Sequence, residues 1–90
     1  MTLETLVSKY IRNTGHVFAD INIVQNESTA IEKEKIETVI ETAKHYFADA
    51  KYYYEKSKFE TSLVSVVYCE GLLDALKLLG AVKFSWPSKK

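Results

Sequence analysis

Apolar residues in the first quarter of the chain recur as Leu3, Val7, Tyr10, Val17, Ile21 and Val24, with Thr14 standing where the heptad would place one more. Leu6, Ile11 and Phe18 widen the stripe on either side. Steps of three and four bring such positions onto one side of a helix, so the pattern predicts a continuous amphipathic helix from about Thr2 to Val24. Gly15 is its weak point, because a glycine inside a helix costs about 1 kcal/mol relative to alanine and offers a place to kink. After the polar stretch Gln25 to Ser28, Thr29 and Glu32 have the spacing of a capping box, in which hydroxyl and carboxylate each satisfy a backbone donor; a second helix is predicted to start there. Its stripe is Ile36, Ile40, Ala43, Phe47, Ala50 and Tyr54, with Val39, Tyr46 and Tyr53 alongside, and it runs to about Lys56. Ser57 and Glu60 repeat the capping-box spacing, so Ser57-Lys58 reads as a tight break into a third helix that ends at Gly80.

The third helix differs from the other two. From Leu63 to Leu79 its charged positions reduce to a strip of Glu70, Asp74 and Lys77. A helix apolar nearly all round must be covered nearly all round, and two neighbours in a bundle cover about half of its circumference. The surplus, Leu72, Leu76 and Leu79 together with Val64, Val67 and Leu78, therefore predicts a further surface, most simply a second copy of the chain. The alternative cover is the first helix together with the Phe84–Trp86 segment. Ile40, Phe47, Val66 and Leu73 are expected in the core. Beyond Gly80, Pro87 biases Trp86 away from helix, so residues 81–90 read as an extended tail. The chain is thus expected to be all-α: an antiparallel three-helix bundle over residues 1–80, followed by that tail. Only 3 Gly and 1 Pro, with no sustained period-two alternation, leave no room for an all-β alternative.

Composition narrows the class without naming an activity. Ninety residues, 47% of them hydrophobic and 27% charged, make one soluble domain whose stability would gain from an oligomeric contact. Lys and Arg total 12, as do Asp and Glu, a balance that argues against a dedicated phosphate-backbone binder, so nucleic acid is not expected as a partner. The single Cys69 cannot form an internal disulfide, and the N-terminus, with Glu4 and no long apolar run, is expected to be neither a signal peptide nor a membrane span. The cytoplasm is the expected compartment, with no membrane contact.

Candidate chemistry is thin. His45, Asp49 and Tyr52 share one side of the second helix, opposite its apolar stripe, but two donors do not make a metal site, and neither a metal nor a cofactor is expected. Glu70 and Asp74 lie four apart on an apolar helix, an arrangement that can raise a carboxyl pKa into a useful range. Lys77, three residues after Asp74, would neutralise the strip, which favours holding a partner over performing catalysis. Tyr52, Tyr53 and Tyr54 diverge by about 100° per residue and cannot form one stacking platform; only Tyr52 should point outwards. Phe84 and Trp86 with Lys83, Lys89 and Lys90 have the composition of a nucleic-acid or peptide contact, although terminal aromatics also fold back to cap small cores. Nucleophile elbows, phosphate-binding loops and dinucleotide turns are absent, and no catalytic residue is assigned.

The segment A-K-H-Y-F-A-D-A-K-Y-Y-Y-E-K-S-K-F from Ala43, followed by Y-C-E-G-L-L-D-A-L from Tyr68, resembles the archaeal domain-of-unknown-function family numbered 357. The pattern of that family, A-x-x-Y-x-x-D-A-x-x-F/Y and then Y-x-x-G-L-L-D-A, falls on Ala43, Tyr46, Asp49, Ala50 and Tyr53, then on Tyr68, Gly71, Leu72, Leu73, Asp74 and Ala75. Where the family often has Gly-Asp in the turn between helices, this chain has Ser57-Lys58, which the capping-box reading accommodates. The resemblance implies a three-helix bundle with a left-handed twist and no established activity. Some relatives carry nucleotidyltransferase-like domains, which implies an accessory or docking role and a partner of that kind. Arg12 and His16 also resemble the Arg-to-His ribonuclease motif of the HEPN superfamily, but that motif has four to six intervening residues and sits late in the bundle. The A-x-x-Y phrasing is similar to a single tetratricopeptide-type hairpin, although a repeat protein needs several units.

Together these observations lead us to expect a non-enzymatic, self-associating interaction module. Its candidate binding residues are Asp49, Tyr68, Glu70 and Asp74, and its candidate homodimer interface is Val64, Val67, Leu72, Leu76 and Leu79. The alternative is an RNA-linked accessory or nuclease-like helical domain.

Overall fold

The computed structural model describes residues 1–24 and 30–87. Three helices, α1 (Leu3–Asp20), α2 (Lys33–Glu55) and α3 (Phe59–Leu78), form an all-α bundle, and a minimal ribbon of β1 (Asn22–Ile23) and β2 (Val82–Lys83) closes one end.

Helix α1 starts where Thr2 Oγ1 accepts the Thr5 backbone N–H at 3.1 Å. It passes through Gly15 without a break, and a Cβ built on that glycine would stand 3.4 Å from Phe47 Cζ, so α2 reaches α1 closely at this point. Phe18 joins the same contact, its ring 5.2 Å from that of Phe47. The helix stops at Asp20, four residues short of the expected end. Ile21 turns extended, Asn22 and Ile23 pair antiparallel with Lys83 and Val82, and the Val24 N–H donates to the Ala81 carbonyl at 2.9 Å. The run Ile21-Asn22-Ile23-Val24 is mostly β-branched, which suits a strand once a partner strand is available.

Helix α2 begins at Lys33, with Glu32 as its N-cap and no side-chain cap bond. Glu32 therefore precedes the helix, where the expected capping box would have placed it in the first turn; Thr29, the other half of that box, lies outside the described residues. The far end of α2 corrects the second expected box as well. Ser57 sits at φ 61°, the left-handed region that glycine occupies without penalty. Its N–H donates to the Tyr54 carbonyl at 3.0 Å and that of Lys58 to the Tyr53 carbonyl at 2.9 Å, the two bonds of a Schellman motif. Ser57 thus terminates α2, and α3 starts from Lys58 without a side-chain cap. The end of α3 repeats the motif with the expected residue: Gly80 is at φ 76°, its N–H donates to Lys77, and the Ala81 N–H donates to Leu76.

The tightest packing joins α2 to α3, where Ala43 and Ala50 on one helix and Ser62, Val66 and Cys69 on the other are buried. The Ser62 hydroxyl donates to the Ala50 carbonyl at 2.6 Å, so this polar side chain in the core has a partner. Ile36, Ile40, Leu73, Leu76 and Val17 extend the core towards the ribbon. Ile40, Val66 and Leu73 are buried as expected, while Phe47 is partly buried against the core. Thr14 occupies its place in the α1 stripe and is completely buried, yet its Oγ1 has no hydrogen-bond partner among the described residues.

After Gly80 the chain doubles back onto the bundle. Ala81, Val82 and Phe84 are buried, Trp86 meets Phe84 edge-on at 5.2 Å, and Trp86 Nε1 donates to Asp74 Oδ1 at 2.8 Å. Among the described residues, no helix is long and apolar enough to cross a membrane.

Candidate docking face on the third helix

Residues of α3 advance by about 100° each, so Val64, Gly71, Ala75 and Leu78 fall near one line along the helix, with Val67, Tyr68 and Leu79 within about 60° of it. All seven are exposed: Val64 at 69%, Tyr68 at 52%, Leu78 at 88% and Leu79 at 61% among the larger ones. The strip is about 22 Å long at 1.5 Å per residue. It carries no charge, because Glu70, Asp74 and Lys77 project together to one side of it. Exposed apolar residues scattered singly need no explanation, whereas continuous apolar patches are the kind of surface at which proteins meet partners.

Two residues of the strip stand out. Gly71 lies inside α3, where glycine costs about 1 kcal/mol relative to alanine. A Cβ built there would meet nothing within 4 Å, so no neighbour in the protomer requires the missing side chain. Tyr68 is half exposed although aromatic, and its ring is held against Tyr46 of α2, centroids 4.5 Å apart, so it meets solvent already oriented.

The expected interface residues divide. Val64, Val67 and Leu79 lie on the exposed strip. Leu72 is half-buried against the core, and Leu76, only 3% exposed, belongs to the core itself, in the cluster that also holds Phe84. Gly71 and Ala75 complete the strip; a count of apolar bulk along the sequence misses them, because small residues add nothing to it. Their signal was the seven-residue step from Val64 to Gly71 to Leu78.

Of the expected binding residues, Glu70 and Asp74 share one flank of α3, while Asp49 and Tyr68 lie elsewhere. Asp49 is exposed on α2, Tyr68 is on the strip, and Asp74 is engaged by the Trp86 indole. Glu70 is half-buried on the flank of α3. Lys77, expected to neutralise this pair, places its Nζ 4.9 Å from the centre of the Phe84 ring. His45 and Tyr52 are exposed, and among the described residues no three metal-ligating side chains come together. Arg12 and His16 are exposed on α1; Arg12 lines a shallow cleft of about 390 Å³ with Glu4, Lys9 and Tyr54, and His16 does not. A wider open cleft of about 680 Å³ beside the ribbon is lined by Asp20, Asn22, Lys77, Lys83 and Phe84 among others, with no nucleophile paired to a base. None of the four expected binding residues lines either cleft. Burial, with the Glu70 carboxylate adding to it, pushes the Cys69 thiol up to about 12, which leaves it protonated and unreactive at neutral pH.

Among the described residues, the fold and the strip define a small three-helix bundle with an exposed apolar face on α3. The chain belongs to the family described as protein of unknown function (DUF357), whose model matches residues 9–82. No curated protein and no solved structure matches it.

Proposed function

We propose that this chain is a non-enzymatic helical interaction module that self-associates through the outer face of α3. The uncharged strip running from Val64 to Leu79 carries this reading: apolar side chains that the bundle leaves in water gain about 25 cal/mol per Å² when covered. A binding role is favoured over chemistry because Asp49, Tyr68, Glu70 and Asp74 line none of the clefts described. A single buried thiol suits a reducing compartment, in keeping with a cytoplasmic location. A protein partner, of the nucleotidyltransferase-like kind that the family resemblance implies, would engage the assembled module. The test is to place a charge on the strip. Val64→Glu and Leu78→Glu should each convert the protein to a folded monomer, read as a halved mass by light scattering with unchanged far-ultraviolet circular dichroism. Variants that keep the oligomeric state of the unmodified chain would remove α3 from the interface.

A further inference from the structure

We infer that two copies of this chain associate by crossing their α3 helices antiparallel at Gly71. The inference rests on reading the α3 strip as a self-association surface, and adds the crossing point and the orientation.

The area favours a second copy. By their exposed fractions, Val64, Val67, Tyr68, Leu78 and Leu79 leave roughly 600 Å² in water on each protomer, so pairing two such strips removes at most about 1,200 Å², the lower edge of what specific stable interfaces bury. A two-fold contact requires a surface complementary to itself, and an uncharged strip offers nothing that repels its own copy. Gly71 then acquires a reason: with no side chain there, and only the Ala75 methyl one turn on, two helix backbones can come closer than the 8–10 Å usual for packed helices.

Orientation follows from what flanks the crossing. Val64 and Leu78 each stand seven residues from Gly71, so an antiparallel pair lays Val64 of one copy over Leu78 of the other, twice, matching a smaller side chain to a larger one. A parallel pair would stack Leu78 on Leu78 at one end. At the other it would bring together the two exposed Glu60 carboxylates, which occupy the first turn of α3 on the same side as the strip. Antiparallel packing keeps those like charges apart and opposes the two helix dipoles.

Disulfide trapping under mild oxidation tests the crossing. Cys69 is buried within the protomer, so the unmodified chain serves as the uncross-linked control. Gly71→Cys, at a position with open space around it, should run at twice the protomer mass on a non-reducing gel, since the two Cα atoms at the crossing come within disulfide reach. Val64→Cys and Leu78→Cys should each remain uncross-linked alone and form a covalent heterodimer when mixed. Self-linking of Val64→Cys and of Leu78→Cys would overturn the antiparallel sense, and a Gly71→Cys chain that stays uncross-linked would overturn the crossing point. Either result with an unmodified chain that sediments as a dimer leaves the docking face standing. An unmodified chain that sediments as a monomer overturns both.

Discussion

Replacing Thr14 by valine should make this protein more stable. Thr14 is completely buried in α1 and its Oγ1 has no partner among the described residues, so the folded chain bears the desolvation cost of a hydroxyl that has given up its bonds to water. That cost is about 1 to 3 kcal/mol. Valine has nearly the same shape and a helix propensity close to that of threonine, so neither packing nor backbone preference offsets the gain. Thr14→Val should therefore raise the unfolding free energy by about 1 to 3 kcal/mol, and each kcal/mol should lift Tm by about 4 to 8 °C in a domain this small. Thr14→Ser is the matched control: it keeps the hydroxyl, removes the methyl and leaves a small void, and should cost about 0.5 to 1.5 kcal/mol. Urea unfolding followed by circular dichroism at 222 nm measures both, provided the denaturant slope stays constant across the series. A valine variant that unfolds at lower urea than the parent would refute the reasoning. It would show that the hydroxyl is bonded in solution, to the Tyr10 carbonyl one turn earlier or to a buried water.

Other consequences can be checked in the same assay. Ser57→Gly should stabilise the chain by about 0.5 to 1 kcal/mol, because the residue at φ 61° ends α2 in a conformation that costs a side chain more than a glycine. A loss of stability there would show that the serine hydroxyl matters. Leu73→Ala, a completely buried position in the core, should cost about 2 to 5 kcal/mol, whereas Tyr52→Ala, on an exposed face of α2, should change stability by under about 0.5; similar unfolding midpoints for the two would contradict the packing described. Cys69 gives a pH signature: its thiol is pushed from 9.0 up to about 12 in the folded chain, so above pH 9 the unfolded chain loses this proton first and stability falls as pH rises towards 12. Cys69→Ala should show a shallower alkaline loss than the parent, and identical slopes would refute the burial.

The helical stripes were legible residue by residue. Even Thr14, a polar residue, could be assigned to the core from its place in the α1 heptad, because burial follows from position on the helix rather than from polarity. What failed did so where two structures share one pattern. Ile21 and Val24 fit the α1 stripe, and they also fit a β-branched strand; the deciding factor is Val82–Lys83, far along the chain, which the period of α1 cannot register. The S-x-x-E spacing at Ser57 matches a helix start, yet the tight link to α3 forces Ser57 into a left-handed end of α2. Glycine in the Gly-Asp turn of the resembling family pattern is the natural occupant of that conformation. The surplus apolar surface of α3 was visible as an amount but not as a direction. Counting bulk put Leu76 on the outside, while rotation at 100° per residue puts Val64, Gly71 and Leu78 there and turns Leu76 inwards. The return of the chain after Gly80, which joins Trp86 to Asp74, depends on a reversal that no local pattern encodes.

The central claim is that the outer face of α3 is covered by a second copy of the chain, and sedimentation equilibrium of the unmodified protein addresses it directly. Interfaces of standard size have dissociation constants in the micromolar range or below, so at ~100 μM the account expects a mass twice that of one chain. The dimer should dissociate on dilution or on Leu78→Glu substitution without loss of helix. A single-chain mass at ~100 μM, with the fold intact, would contradict it.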